Sequence, residues 1–314
     1  MPRRERPLKG VAEAPGKVII SGEHFVVHGA TAIAAAIERR VRVEATRSDR
    51  LTVRSNLRDP DDLAPARKLV ESLYKARKVE PRVSVSIKSA LAEGAGLGSS
   101  AATMVAVAGA TSALEGWPLD QGSLAEAAGA GEKLVHGNPS GIDVATSATG
   151  GVLLFKRGEA PRPVQLPVPV TLMVIISGRR RNTGKLISRV AGMKETYPSL
   201  FASLCESATL VSGLCADALV KGDATALGRL MTYSHAVLAR AGASNKRLDE
   251  LVDTCLSLGC LGAKLTGAGG GGSVLAVPPL DPKEARAAAE KLTKKGYETF
   301  FTKIPSGGAR AWKE

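Results

Sequence analysis

Aromatic side chains are scarce in this chain. Phe, Trp and Tyr make up 4% of 314 residues, so a core must be built mainly from Ala, Val, Leu and Ile. The four cysteines, Cys205, Cys215, Cys255 and Cys260, form no CxxC pair and have no histidine cluster nearby. That spacing excludes the common zinc and redox motifs and leaves buried free thiols in a reducing compartment. No apolar run of about 18 residues suggests a bilayer span. The basic start, 1-MPRRERPLKG-10, is followed by no apolar segment of signal-peptide length. A cytoplasmic protein with no membrane partner is therefore expected. Internal repeats and low-complexity tails are also lacking.

What is present is an ordinary globular balance, 44% hydrophobic and 23% charged, in a chain long enough for about two domains. The net charge of +13 invites a nucleic-acid reading. Against it, the basic residues are dispersed apart from Arg3, Arg4, Arg6 and 179-RRR-181, and no aromatic-rich RNA-binding segment accompanies them. A basic surface serving a polyanionic small substrate explains the charge as well, and no nucleic-acid partner is expected.

Strand patterns fall at 17–21, 37–46, 51–55 and 82–89, with a helical period over 62–78 between the last two. The stretch 92-AEGAGLGSSAA-102 then precedes 100–116, an Ala-rich segment apolar nearly all round, which reads as a buried helix begun by Ser99 or Ser100. A helix over 120–136 runs into the turn 137-GNPSGID-143, and a strand follows at 151–155. The proline-spaced 159–170 reads as a connection between lobes. Beyond it come a buried strand at 171–177, helices to about 258, and 262–277 as strand, glycine loop and strand. A helix at 282–295 and strands at 297–302 and 309–312 close the chain. The order indicates an α+β protein, divided at 1–165 and 166–314.

Three segments carry chemistry. The glycines of 92–102 suit a turn, or a phosphate cradle at a helix N-terminus. The segment lacks the lysine of a P-loop and the βαβ context of a dinucleotide fingerprint. A serine hydroxyl at such a loop suits Mg²⁺ shared with phosphates. In 132-EKLVHGNPSGID-143, Glu132 can be a metal ligand or a solvated helix residue, and Asp143 a base or a turn former. In 14-APGKVIISGEHFVVHG-29, Lys17 can guard a strand edge or point a fixed charge into a cleft, keeping a neighbouring aspartate ionised. His24 and His28 lack a third ligand, so zinc is not expected.

Taken together, 14-APGKVIISGEHFVVHG-29, 94-GAGLGSSAA-102, 136-HGNPSGID-143 and 264-KLTGAGGGGS-273 resemble the motifs of the GHMP-superfamily kinases. Within them the likeness is closest to the archaeal-type mevalonate kinases. Galactokinases open with a different GEH context, and homoserine kinases lack the GEHxVVHG run. The resemblance spans nearly the full length. It implies a two-domain GHMP kinase fold, with a ribosomal-protein-like N-terminal domain and a ferredoxin-like C-terminal domain closing the cleft. It also implies ATP-dependent phosphorylation of the 5-hydroxyl of mevalonate, early in isoprenoid synthesis, with phosphomevalonate kinase or another GHMP small-molecule kinase as the neighbouring alternative; a basic nucleic-acid-binding module, favoured only by the charge, is the remote one.

Carried over by residue, Asp143 resembles the catalytic base and Lys17 the lysine beside it. Gly94, Ala95, Gly96, Leu97, Gly98, Ser99, Ser100 and Ala101 resemble the ATP phosphate loop. Ser100 and Glu132 resemble the Mg²⁺ ligands, and Glu23, His24 and Thr183, the last in 181-RNTGKL-186, resemble the mevalonate pocket. A homodimer is implied by the resemblance alone. Two departures stand out: Ala92 where the family commonly has proline, and Ser273 where it often has cysteine.

Overall fold

Valine, isoleucine and small alanines dominate residues 9–47, and two long antiparallel strands form there, β1 (Lys9–Ser21) and β2 (Ala32–Arg47). Both exceed the patterns at 17–21 and 37–46. The run Ala34, Ala35 and Ala36 gives no strand signal in sequence, yet it is fully buried in the sheet. The structure, a computed structural model, describes residues 8–56, 63–118, 120–136, 140–178 and 183–314, without the side chains of 134–136 and 183–187.

Strand β2 carries β1 along one edge and divides the other. β5 (Val152–Phe155) pairs with residues 32–35, and β4 (Val83–Ser89) with 41–47. Helix α1 (Ala64–Lys75) connects β3 (Thr52–Ser55) to its parallel neighbour β4. Residues 162–164, inside the segment read as a plain connection, form a short strand β6 against β5. The last strand, β11 (Arg310–Lys313), lies in this first sheet although it belongs to the range 166–314, and it pairs with residues 10–13 of β1. Helix α2 (Ser99–Glu115) lies on β1 and β2 beneath α1, α3 (Gln121–His136) and α4 (Ile142–Thr149), so 101–114 are buried on every side.

The second sheet has the order β10-β7-β9-β8, antiparallel throughout, from β7 (Thr171–Ile176), β8 (Gly262–Thr266), β9 (Ser273–Val277) and β10 (Glu298–Lys303). Helices α5 (Thr183–Thr196), α6 (Pro198–Lys221), α7 (Ala224–Arg240) and α8 (Lys246–Ser257) connect β7 to β8, and α9 (Pro282–Lys294) connects β9 to β10. With that crossover counted as one layer, the order is β-α-β-β-α-β, the ferredoxin-like arrangement.

Helix α6 corrects one expectation. By length and composition it is apolar enough to cross a membrane, with a mean hydropathy of 1.4 over an 18-residue window. Glu206 and Asp217 break the run into pieces that do not read as continuous. Its Phe201, Val211, Cys215 and Leu219 face the protein core. The four cysteines are free thiols. Cys205 is half-buried rather than buried, and burial pushes the Cys215 thiol up to about 12.

Helix α7 crosses the outer edge of β8 at backbone contact. A Cβ on Gly262 would lie 1.8 Å from the Gly228 carbonyl oxygen. That proximity lets α7 side chains reach the two N–H groups the edge strand leaves open. Ala263 N–H donates to Thr232 Oγ1 at 3.2 Å and Leu265 N–H to His235 Nδ1 at 3.3 Å. Gly262→Ala must push the two backbones apart and is expected to cost about 3 kcal/mol, the upper range for overpacking. The check is the denaturant midpoint at constant m-value; an unshifted midpoint would mean that the backbones do not depend on this contact.

Candidate active site

Because β11 covers only residues 10–13, β1 has an open edge from Lys17 onward. Buried N–H and C=O groups there need partners. Lys17 N–H donates to the Leu97 carbonyl at 2.9 Å, and Ile19 N–H to Thr266 Oγ1 at 2.9 Å. The Ile19 carbonyl accepts from Thr266 Oγ1 and Lys264 Nζ, each at 3.2 Å. One strand edge thus draws the glycine loops at 94–98 and 267–272 to the same place.

The loop at 94–101 ends in a helix with an open N-terminus. Gly98 caps α2 with φ of 73°, and no side-chain cap hydrogen bond is made. Neither Ser99 nor Ser100 caps the helix; both lie inside it, in the first turn. A helix start without a side-chain cap is a terminus of the kind that favours anions. Only glycine fits at 98, where a Cβ would lie 2.8 Å from Lys17 Cγ. From the opposite side, Ser273 Oγ donates to the Ala95 carbonyl at 2.8 Å.

Lys17 and Asp143 meet. Their Nζ and Oδ1 atoms are 3.0 Å apart, with the lysine side chain 3% exposed and the aspartate 37%. The lysine is thus held by the protein, and the carboxylate remains open to the cleft. This places Lys17 inside β1 and pointing inward, not guarding an edge. Asp143 lies in the first turn of α4 rather than in a free turn, where the helix dipole favours a carboxylate.

Glu23 and His24 sit at the junction of β1 and a short 3-10 helix, His24–His28. Glu23 is buried and forms an ion pair with Lys264 in which neither side chain is exposed by more than 1%. Lys264 Nζ also donates to the Leu265 carbonyl. Burial depresses the Lys264 ammonium and the Glu23 carboxylate opposes it. His24 Nε2 is 2.9 Å from the Ala268 carbonyl, which can only accept, so Nε2 carries the proton.

Glu132, on α3, is 5% exposed, which removes the reading of a solvated helix residue. Its neighbour Gly131 lies against Met104 of α2, one turn beyond Ser100. A hydroxyl in the first turn of α2 and a buried carboxylate on the adjoining helix are hard oxygen donors of the kind Mg²⁺ takes. Among the described residues no group of three or more His, Cys, Asp or Glu could hold a metal. The donors therefore fit a Mg²⁺ arriving with nucleotide phosphates, not a closed protein cage. Thr183 begins α5, but its side chain lies outside the described residues, as do residues 137–139 of the 136–143 motif.

Lys264 and Thr266 lie in the 264–273 motif but were given no role from sequence, and Ser273 was noted only as a departure from the family pattern. A lysine within 262-GAKLT-266, a strand otherwise without charge, was the available signal.

A helix start of the anion-favouring kind beside a lysine and an open carboxylate is the arrangement that suits a small-molecule phosphotransferase. The family models for the GHMP kinase N-terminal domain and the GHMP kinases C-terminal region match residues 65–151 and 215–298. A mevalonate kinase of Aeropyrum pernix is 36% identical, covering 95% of this chain and 97% of its own. One of Pyrococcus horikoshii is also 36% identical, covering 96% and 97%. The solved L. major mevalonate kinase in complex with R-mevalonate superposes with a TM-score of 0.81 at 30% identity, covering 94% and 96%. The chain belongs to the GHMP kinase family. Within that family it is placed with the mevalonate kinases.

Removing the Lys264 charge leaves Glu23 buried without its counter-ion. Lys264→Met is expected to cost about 3–5 kcal/mol, and adding Glu23→Gln should recover part of that loss. Calorimetric melting of both variants checks this, and a double variant less stable than Lys264→Met would contradict it.

Proposed function

We propose that this chain transfers the γ-phosphoryl group of ATP to the 5-hydroxyl of (R)-mevalonate, the reading that best unites its relatives with its site. The single observation that supports the mechanism most is the Lys17–Asp143 pair at 3.0 Å, one partner buried and the other open, beside the uncapped start of α2. In this reading 1–165 carries the phosphate loop and Asp143, and 166–314 closes the cleft. A cytoplasmic location, and a homodimer implied by resemblance alone, belong to the same reading.

The chemistry follows from these positions. Backbone N–H groups of 94–101 bind the phosphates of ATP and hold them at the end of α2. Glu23, His24 and Thr183 orient mevalonate. Asp143 accepts the proton of the 5-hydroxyl as its oxygen bonds to the γ-phosphorus, and the bond to the β-phosphate oxygen breaks to release ADP. Lys17 offsets charge on the transferring group and supplies the counter-charge of Asp143. Bound between Ser100 and Glu132, Mg²⁺ would neutralise the β- and γ-phosphate oxygens.

Asp143→Asn is expected to lose about 10²-fold or more in turnover, the scale of a positioned acid–base group, with ATP binding retained. Lys17→Met should be similarly impaired, and the double variant much less than additive, because the two act as a unit. Coupled ADP release with mevalonate, phosphomevalonate and RNA as parallel additions tests both residues and substrate. Near-parental turnover of Asp143→Asn would sink the base assignment, and release driven only by phosphomevalonate would replace the substrate.

Glu132→Gln should lower turnover and raise the Mg²⁺ concentration needed for half-maximal rate, while the melting curve stays close to that of the parent. An unchanged Mg²⁺ requirement would remove Glu132 from the metal site.

A further inference from the structure

The open edge of β8 is closed by a histidine that no part of the reaction uses. His235, on α7, is buried, and the Leu265 N–H points at its Nδ1 from 3.3 Å. A backbone N–H can only donate, so Nδ1 carries no proton. The proton is on Nε2, 3.1 Å from Asp249 Oδ1, and that same oxygen accepts from Ser244 Oγ at 2.5 Å. Asp249 thereby fixes which ring nitrogen faces the strand.

The peptide unit held in this way adjoins the mevalonate pocket proposed above. Leu265 lies between Lys264, which pairs with Glu23, and Thr266, which holds the backbone of Ile19. The Leu265 carbonyl is itself one of the acceptors around Lys264 Nζ, along with the Ile19 carbonyl and Glu23 Oε1. A shift of Leu265 therefore moves the ammonium that sets Glu23. It also moves the hydroxyl that anchors β1, two residues from Lys17.

We propose that His235, oriented by Asp249, is a positioning residue for the mevalonate pocket, and that its protonation releases β8 and loosens that pocket. The role rests on the assignment of Glu23 to mevalonate binding. An imidazolium would place a second donor against the Leu265 N–H, so the bond exists only in the neutral ring. The charged groups facing the ring are Lys264 from β8 and Asp249 and Asp253 from α8. Burial first, and the Lys264 ammonium second, push the imidazole below its ordinary value, against the opposing pull of the two aspartates. The sign follows: the lock is complete above the ordinary imidazole range and is lost as pH falls through the lowered value.

The test uses the full chain with ATP and mevalonate. His235→Asn keeps an acceptor near the position of Nδ1 but cannot titrate, and His235→Leu keeps bulk without the acceptor. In the parent, kcat/KM for mevalonate should fall as pH drops below the imidazole range. In His235→Asn that fall should be deferred to the carboxylate range. His235→Leu should raise KM for mevalonate about tenfold at all pH values, the scale of one lost hydrogen bond, while KM for ATP stays within about twofold. An acid limb that survives unchanged in His235→Asn, or equal changes in both KM values in His235→Leu, would overturn the proposal. Should His235→Leu not fold, the pH profile of His235→Asn decides alone. A companion Glu23→Gln variant separates the two readings. An unchanged mevalonate KM there overturns the pocket assignment, and the positioning role that rests on it, whereas a surviving acid limb in His235→Asn overturns the His235 device alone.

Discussion

An unpaired strand edge inside a protein must be satisfied by something other than a strand, and in this chain that requirement assembles the site. Strand β1 is paired on both sides only where β11 reaches it. From Lys17 to Ser21 its outer edge is buried and open, and alternate residues direct their N–H groups outward along it. The Leu97 carbonyl meets one of these groups and Thr266 Oγ1 the next. Residues 97 and 266, far apart in sequence, are thus bound to the same few atoms of β1, whose Lys17 side chain reaches Asp143. The buried Lys264–Glu23 pair adds little net stability by itself, since desolvation offsets much of its attraction. Its contribution is specificity: a lysine in this position has one place to put its charge, and that fixes β8 against β1.

The same device recurs at the far edge of the second sheet. Ala263 and Leu265 stand two apart on β8, so their N–H groups point the same way, and Thr232 and His235 stand three apart on α7, so their side chains share a helix face. The two spacings match only where helix and strand touch at the backbone. The Gly228–Gly262 contact provides that approach. A side chain at either glycine would separate the elements and leave two buried donors without acceptors.

Much of this was legible in the residues. Helix α2 was readable because a segment apolar on every side can only be buried. The glycine loop, Lys17 and Asp143 were readable as motif residues whose types match phosphoryl transfer. Sequence could not show that Lys17 points inward, because a lysine at the edge of an apolar strand is equally at home in solvent. Nor could it distinguish a buried Glu132 from a solvated one, since a single carboxylate on an Ala-rich helix fits either face. Lys264 went unread because its partner, Glu23, lies 241 positions away and the pairing follows from docking, not from spacing. The Ala-rich part of β2 likewise owes its conformation to neighbours more than to propensity.

The two departures from the family pattern bear on the same loop and act in opposite directions. Alanine at 92 removes the fixed backbone angle that proline would supply, and so leaves the approach to Gly94 more conformations. Serine at 273 places a hydroxyl where the family often carries a thiol, and that hydroxyl donates to the Ala95 carbonyl at 2.8 Å in a fully buried setting. A thiol is the weaker donor. The restraint that proline would have applied from within the loop is thus applied from across the cleft, by the strand that follows the second glycine loop. The conformation of the 94–98 loop consequently depends on where β9 docks as well as on the loop's own residues.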